Sequence, residues 1–119
     1  MKIINREKFL KMPYGTVYAK YKPFVFEELC IKEESLEDDW FYSDIVDAID
    51  LYQEEGFEEI LLRAEKTGNT IHMDFHTLCR DGCFDPDQLF AVFEIQDVKA
   101  LIYKLSVDCI NEKKEKQGE

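Results

Sequence analysis

The first third of the chain alternates between apolar and polar residues with the period of β-strands. The segment TVYAKY (residues 16–21) alternates in this way, and VFEELCIK (25–32) alternates again after a break at Pro23. A period of two places successive side chains on opposite faces of a sheet. We therefore predict two strands here and expect them to pair as a hairpin.

Three further segments have the composition of strands. WFYSDIV (40–46) is aromatic and β-branched, and TIHMDF (70–75) alternates, with its apolar residues on one side. QLFAVFE (88–94) is a continuous apolar run, which is typical of an inner strand. The pattern therefore predicts a sheet of about five strands.

Helical periodicity replaces the alternation in two places. Residues 57–66 have the i, i+3, i+4, i+7 spacing of an amphipathic helix that ends at Gly68, and its apolar positions are Phe57, Ile60, Leu61 and Ala64. Asp97 is the predicted cap of a final helix, whose apolar stripe is Val98, Leu101, Ile102, Leu105 and Cys109. Asn5 is the predicted cap of a short N-terminal helix that ends before Pro13.

This order of elements predicts an α+β fold. The sheet is expected to be mostly antiparallel, with the two main helices on one face and the short helix at the N-terminus. A chain of 119 residues with 45% hydrophobic residues fits a single domain, which we place at residues 1–110. Residues 111–119 are strongly charged and predict a solvated tail.

The sequence favours the cytoplasm as the location of the protein. No apolar run approaches the ~20 residues of a membrane helix, and the N-terminal residues are too polar for a signal peptide. The four cysteines are therefore expected to be free thiols: Cys30, Cys79, Cys83 and Cys109.

The negative charge is concentrated in the middle of the chain. The net charge is −11, and residues 33–97 contain nineteen acids against three bases. Such a segment repels a phosphate backbone, so nucleic acid is not an expected partner. The run 33–59 has twelve acids, no base and the aromatic residues 40–42. This pattern is equally typical of a contact for a basic protein surface and of a solvated face that only keeps the protein soluble. The predicted contact residues are Glu33, Glu34, Glu37, Asp38, Asp39 and Asp44.

Motifs for metal binding and catalysis are weak. His72, Asp74 and His76 alternate, but on a strand the two histidine Cα atoms would lie about 13 Å apart. That separation is too long for a shared zinc ion, and Cys79 and Cys83 have no second pair. Nucleophile-elbow and phosphate-loop motifs are missing from the sequence. We predict no metal, no cofactor and no catalytic residue, and a metal-dependent hydrolase built on the histidines is the weakest alternative.

Aromatic residues and isolated cations predict a site for a nucleotide-like ligand. Tyrosine and tryptophan rings can stack on a base, and lysine or arginine can bind phosphate. Tyr18 and Lys20 would share one strand face, which makes a half-site. Arg80 is one of three cations in the acidic middle segment. The predicted ligand-binding residues are Tyr18, Lys20, Tyr21, Trp40, Tyr42, Arg63 and Arg80.

Three stretches together carry a resemblance to a known family: INREKFLKMPYGTVYAKYKP, FEELCIK and FDPDQLFAVFEIQDV. They resemble small acidic proteins carried by phages and prophages of Gram-positive bacteria, most of which have no assigned function. The likeness covers residues 3–105 and is looser in the middle. It implies a protein that antagonises host defence in the bacterial cytoplasm, either by sequestering a nucleotide signal or by blocking a host protein.

Two functions follow as expectations. The first is a non-enzymatic protein that sequesters a nucleotide-like immune signal, with a homodimer interface as the expected place of the site. The alternative is an acidic inhibitor or DNA mimic that binds a basic host protein surface. The base-free acidic run favours the alternative, and the Tyr18–Lys20 half-site favours the first.

Overall fold

The computed structural model describes residues 1–46, 56–82 and 84–110, and its centre is an antiparallel sheet of six strands. The strands are β1 (Lys2–Ile4), β2 (Val17–Lys22), β3 (Val25–Leu36), β4 (Asp39–Asp44), β5 (Cys79–Arg80) and β6 (Leu89–Val92). Their order across the sheet is β1-β6-β2-β3-β4-β5. The helices are α1 (Arg6–Leu10), α2 (Phe57–Thr67) and α3 (Ile95–Lys104), followed by a π-helical turn at Leu105–Ile110. The predicted α+β fold is therefore confirmed.

The predicted hairpin is formed by β2 and β3. Tyr18 lies opposite Cys30, and Lys22 lies opposite Val25 across the turn. The register shifts between Ala19 and Tyr21, which marks a bulge. Cys30 in turn lies opposite Asp44 of β4, so the side chains of Tyr18, Cys30 and Asp44 project from the same face of the sheet.

The inner position of β6 is also confirmed. It pairs with β1 on one side and with β2 on the other. Phe90 and Ala91 have no exposed surface, as expected of a strand with neighbours on both edges. The strand β1 was not predicted, because a three-residue edge strand is too short to show a period.

The core is an aromatic cluster built around α1. Asn5 caps this helix by accepting a hydrogen bond from the Lys8 N–H at 2.9 Å. The ring of Phe9 stacks on Phe90 with centroids 4.0 Å apart and meets Trp40 edge-on at 5.0 Å. Phe9, Trp40 and Phe90 are each wholly buried, so the short helix supplies the centre of the core.

Residues 70–75 do not form the predicted strand. Met73 makes only an isolated bridge, and the chain turns at Phe75 and His76. The carboxylate of Asp74 accepts a hydrogen bond from the His76 N–H at 2.9 Å. This local turn replaces strand pairing, because an aspartate side chain can satisfy the backbone two residues further on.

Helix α2 agrees with its prediction, whereas α3 has a different cap. Gly68 ends α2 in the left-handed conformation, with φ at 72°. Helix α3 is capped by Glu94, and Asp97 takes the N3 position of a capping box. None of the residues of α3 is buried, and Ile102 is 58% exposed, so its apolar stripe is not part of the core. The side chain of Cys109, the residue Cys83 and the predicted tail 111–119 lie outside the described residues.

No helix in the described part of the chain is long and apolar enough to cross a membrane.

Replacing Phe9 by alanine should destabilise the fold strongly. Removal of a fully buried phenylalanine that stacks on Phe90 is expected to lower the free energy of unfolding by about 3–5 kcal/mol. Urea denaturation followed by tryptophan fluorescence measures this change. The matched control is Phe24→Ala at a ring that is 93% exposed, for which we expect a change within about 0.5 kcal/mol. Equal losses in the two variants would contradict the assigned core.

The turn between β2 and β3 contains a backbone conformation that favours glycine. Phe24 has φ at 66°, and a side chain in this region costs roughly 1–2 kcal/mol. Phe24→Gly is therefore expected to raise the free energy of unfolding by about 0.5–1 kcal/mol, measured by urea denaturation. Val25→Gly, at the next exposed residue, should lower it. A loss of stability in both variants would contradict this prediction, because the Phe24 ring would then contribute more free energy to folding than its backbone strain costs.

Candidate functional site

A polar cleft crosses three strands on the face of the sheet that carries Tyr18. It encloses about 430 Å³, and we call it the acidic cleft; its lining residues are Tyr18, Lys20, Glu27, Glu28, Cys30, Tyr42, Asp44 and Asp81. The alternation of β2, β3 and β4 brings Tyr18, Cys30 and Asp44 to this face in register. Asp81 joins them from the segment that follows β5.

Negative charge dominates the acidic cleft. Its lining contains four carboxylates against one ammonium group. That ammonium group, Lys20 Nζ, already forms a salt bridge of 2.8 Å with Asp81 Oδ1. The side chains of this pair are 22% and 6% exposed, so the pair is partly shielded from solvent. The carboxylates of the lining therefore outnumber its ammonium group by four to one.

The pKa values of neighbouring groups reflect this charge. Burial, together with the negative charge of Asp44, raises the pKa of the Cys30 thiol to about 12. Burial together with Asp44 also raises the pKa of Tyr42 to about 12. Cys30 donates a hydrogen bond from its thiol to Asp44 Oδ1 at 3.7 Å. At neutral pH the thiol and the phenol are thus protonated, and Cys30 is not an activated nucleophile.

Tyr18 forms the floor of the cleft and part of the core at once. Its side chain is 1% exposed, and its hydroxyl accepts a hydrogen bond from Trp40 Nε1 at 2.9 Å. Burial raises the pKa of Tyr18, which keeps the hydroxyl neutral. The floor is therefore rigid, because its orientation is determined by the aromatic core beneath it.

The structure brings together three of the seven predicted ligand-binding residues, namely Tyr18, Lys20 and Tyr42. Trp40 is wholly buried and Tyr18 is 1% exposed, so the prediction that these two rings are available for stacking is wrong. The Tyr21 hydroxyl accepts a hydrogen bond from the Phe24 N–H at 3.1 Å, which places it in the hairpin turn. Arg63, on α2, is likewise not part of the cleft lining.

Asp39 and Arg80 form a structural ion pair. Asp39 is wholly buried and accepts hydrogen bonds from Arg80 Nε at 2.6 Å, from the Trp40 N–H and from the Gly82 N–H. Burial alone would raise the pKa of Asp39, but these hydrogen bonds outweigh it and hold the pKa below its usual value. The prediction of Asp39 as a surface contact is wrong, because it joins β4 to the segment after β5. Arg80 was predicted to bind a ligand, but its guanidinium group is engaged in this pair.

The other predicted acidic contacts divide between three places. Asp44 lines the acidic cleft, whereas Glu37 and Asp38 are exposed in the turn between β3 and β4. Glu33 and Glu34 line a second pocket of about 310 Å³, together with Tyr14, Phe41 and Leu78. We call this second site the Tyr14 pocket.

The predicted histidine arrangement is not assembled. His72 and His76 are exposed, and His76 lies in the turn made by Asp74. Within residues 1–46, 56–82 and 84–110, no group of three His, Cys, Asp or Glu side chains is placed to hold a metal ion.

Sequence reasoning missed Glu27, Glu28 and Asp81 as members of the site. Glu28 could have been found, because it shares the alternation of Cys30 along β3. Asp81 could not have been found from the sequence, because only the tertiary structure brings the segment after β5 beside Lys20.

The raised pKa values predict a loss of stability at alkaline pH. Cys30 has an ordinary pKa of 9.0 and a folded pKa of about 12, so above pH 9 the unfolded chain loses this proton first. Folding then binds the proton, and the free energy of unfolding falls as pH rises from 9 towards 12, by up to ~1.4 kcal/mol per pH unit for one proton. Melting temperatures measured between these pH values should fall less steeply in Cys30→Ala. The same slope in the two proteins would contradict the burial of the thiol, and Tyr103→Phe at an exposed ring is the control.

Comparison with known proteins identifies no relative of this chain. No family model matches it, and neither a curated protein nor a solved structure matches it. The chemistry of the acidic cleft therefore carries the functional proposal.

Proposed function

We propose that this protein is a non-enzymatic binding protein whose acidic cleft receives a basic side chain from the surface of another protein. The observation that carries the proposal is the excess of carboxylates in the cleft, where the one lysine of the lining is already bonded to Asp81. A cationic side chain from a partner would supply the missing positive charge.

The positions of the carboxylates in the cleft suit a guanidinium or ammonium group. Glu27 and Glu28 are exposed at its mouth, and Asp44 is half-buried further inside. Hydrogen bonds between a cation and a carboxylate are roughly twice as strong as neutral ones, and they strengthen where water is partly excluded. The mouth would attract a partner, and the inner carboxylate would orient its side chain.

The net charge of the whole chain supports the same partner. A protein of net charge −11 attracts basic surfaces over distances of the order of the ~8–10 Å Debye length. In the phage setting that the sequence resemblance implies, the partner would be a basic host protein in the bacterial cytoplasm, and the protein would act as its inhibitor.

Sequestration of a nucleotide remains a second candidate because Tyr18, Lys20 and Tyr42 do meet in one cleft. A phosphate bound there would have to displace Asp81 from Lys20 and would face three further carboxylates. The electrostatic balance of the cleft thus favours a cation over a nucleotide. A hydrolase has less support, because the histidines proposed for it are exposed and do not meet at a metal site in the described residues.

A binding experiment with model ligands tests the proposal. A seven-residue arginine peptide should bind at low salt, and Glu27→Gln/Glu28→Gln/Asp44→Asn should weaken its affinity at least about tenfold, or ~1.4 kcal/mol. Isothermal titration calorimetry measures the affinity, with a cyclic dinucleotide and ADP-ribose titrated in parallel.

The matched control separates the cleft from general attraction by charge. Glu58→Gln/Glu59→Gln/Glu65→Gln removes the same number of charges from exposed residues of α2 and should leave the affinity nearly unchanged. Equal losses in the two triple variants would reject the cleft as the site. Tight binding of either nucleotide, abolished by Lys20→Gln, would support sequestration instead.

A further inference from the structure

The Tyr14 pocket lies on the sheet face opposite the acidic cleft. Glu33 and Phe41 occupy positions of β3 and β4 that alternate with Cys30 and Tyr42, which lie at the cleft. The walls of the pocket are mostly apolar, formed by the rings of Tyr14 and Phe41 and by Leu78. Two carboxylates, Glu33 and Glu34, complete the lining.

The carboxylate of Glu33 is only partly satisfied within the protein. One of its oxygens, Oε2, is inaccessible to solvent and has no hydrogen-bond partner among the described residues. The nearby Glu33 carboxylate raises the pKa of the Tyr14 phenol, so the two groups face each other in the pocket. An enclosed carboxylate oxygen without a donor costs free energy, which a donor brought by a ligand would recover.

The backbone holds Tyr14 in place although its ring is 71% exposed. The Gly15 N–H donates to the Lys32 carbonyl at 2.8 Å, and the Lys32 N–H donates to the Thr16 carbonyl at 2.8 Å. Gly15 has φ at 89°, a conformation that a residue with a side chain rarely adopts. The backbone that carries the Tyr14 ring is therefore held next to β3 before any ligand arrives, which lowers the entropic cost of binding.

We infer that the Tyr14 pocket binds an arginine side chain of a peptide or protein partner. The guanidinium group would donate to Glu33 and Glu34, and its planar face would lie against the aromatic rings. The aliphatic part of the side chain would cover Leu78. Arginine fits better than lysine because a planar group can both stack and donate two parallel hydrogen bonds.

This site is separate from the acidic cleft and does not depend on it. The two sites share no lining residue and lie on opposite faces of the sheet. A partner that fills both would contact the protein on two sides. A partner that fills one would leave the other free for a second basic segment.

Peptide titration followed by NMR tests the inference. The probe is the acetylated and amidated pentapeptide Gly-Gly-Arg-Gly-Gly, and its controls carry citrulline or lysine at the centre. Citrulline has nearly the shape of arginine but no charge. We expect the arginine peptide at millimolar concentration to shift the methyl resonances of Leu78, the citrulline peptide to leave them unchanged, and the lysine peptide to bind more weakly.

Substitutions assign the effect to the pocket. Glu33→Gln should weaken binding of the arginine peptide by about tenfold or more. Glu37→Gln removes one charge from an exposed residue of the same acidic run and should keep the affinity. Tyr14→Ala, at a largely exposed ring, provides a second variant whose folding is not at risk.

The outcomes separate this inference from the proposed function. The acidic-cleft variant Glu27→Gln/Glu28→Gln/Asp44→Asn should retain the Leu78 shifts produced by the arginine peptide. Absence of those shifts in the native protein, or equal shifts with citrulline, would overturn the inference and leave the cleft untouched. An unchanged affinity in both Glu33→Gln and Tyr14→Ala would overturn it as well.

Discussion

The stacking of Phe9 on Phe90 is the interaction on which the rest of the structure depends. A helix of only five residues contributes one ring, and that ring is enclosed by Tyr18, Trp40 and Phe90. The side chains beneath it come from β2, β4 and β6, so a single ring ties three strands to α1. A short helix covers only part of one face, and the acidic cleft occupies another part of that face.

Tyr18 links the core to the cleft. Its hydroxyl is held by Trp40, and its side chain forms the floor beneath Lys20 and Tyr42. The cleft thus has a rigid aromatic base and a rim of carboxylates. Burial and negative charge act in the same direction on the Cys30 thiol, raising its pKa. That environment disfavours a reactive thiolate and suits the binding of a cation.

Acidic residues of similar appearance in the sequence have different roles in the structure. Asp39 is buried and stabilises the contact between β4 and β5 through Arg80. Asp44 lies in the cleft, and on the opposite face one carboxylate oxygen of Glu33 is enclosed without a hydrogen-bond donor among the described residues. Glu37 is exposed to solvent. Asp39 is therefore not available to a partner, and the other described acids of the run lie at separate places on the surface.

The sequence by itself determined the features that depend on neighbours along the chain. The β2–β3 hairpin, the end of α2 at Gly68 and the inner strand β6 follow from periodicity and from the conformational freedom of glycine. Tertiary structure decided which faces are covered. Asp39 and Arg80 are 41 residues apart and meet only after folding, and no residue of the α3 stripe within the helix is buried despite its helical period. The spacing of residues along the chain shows which side chains share a face of a helix or strand. Whether that face is buried, and with which residues it pairs, depends on the element, distant in sequence, that packs against it.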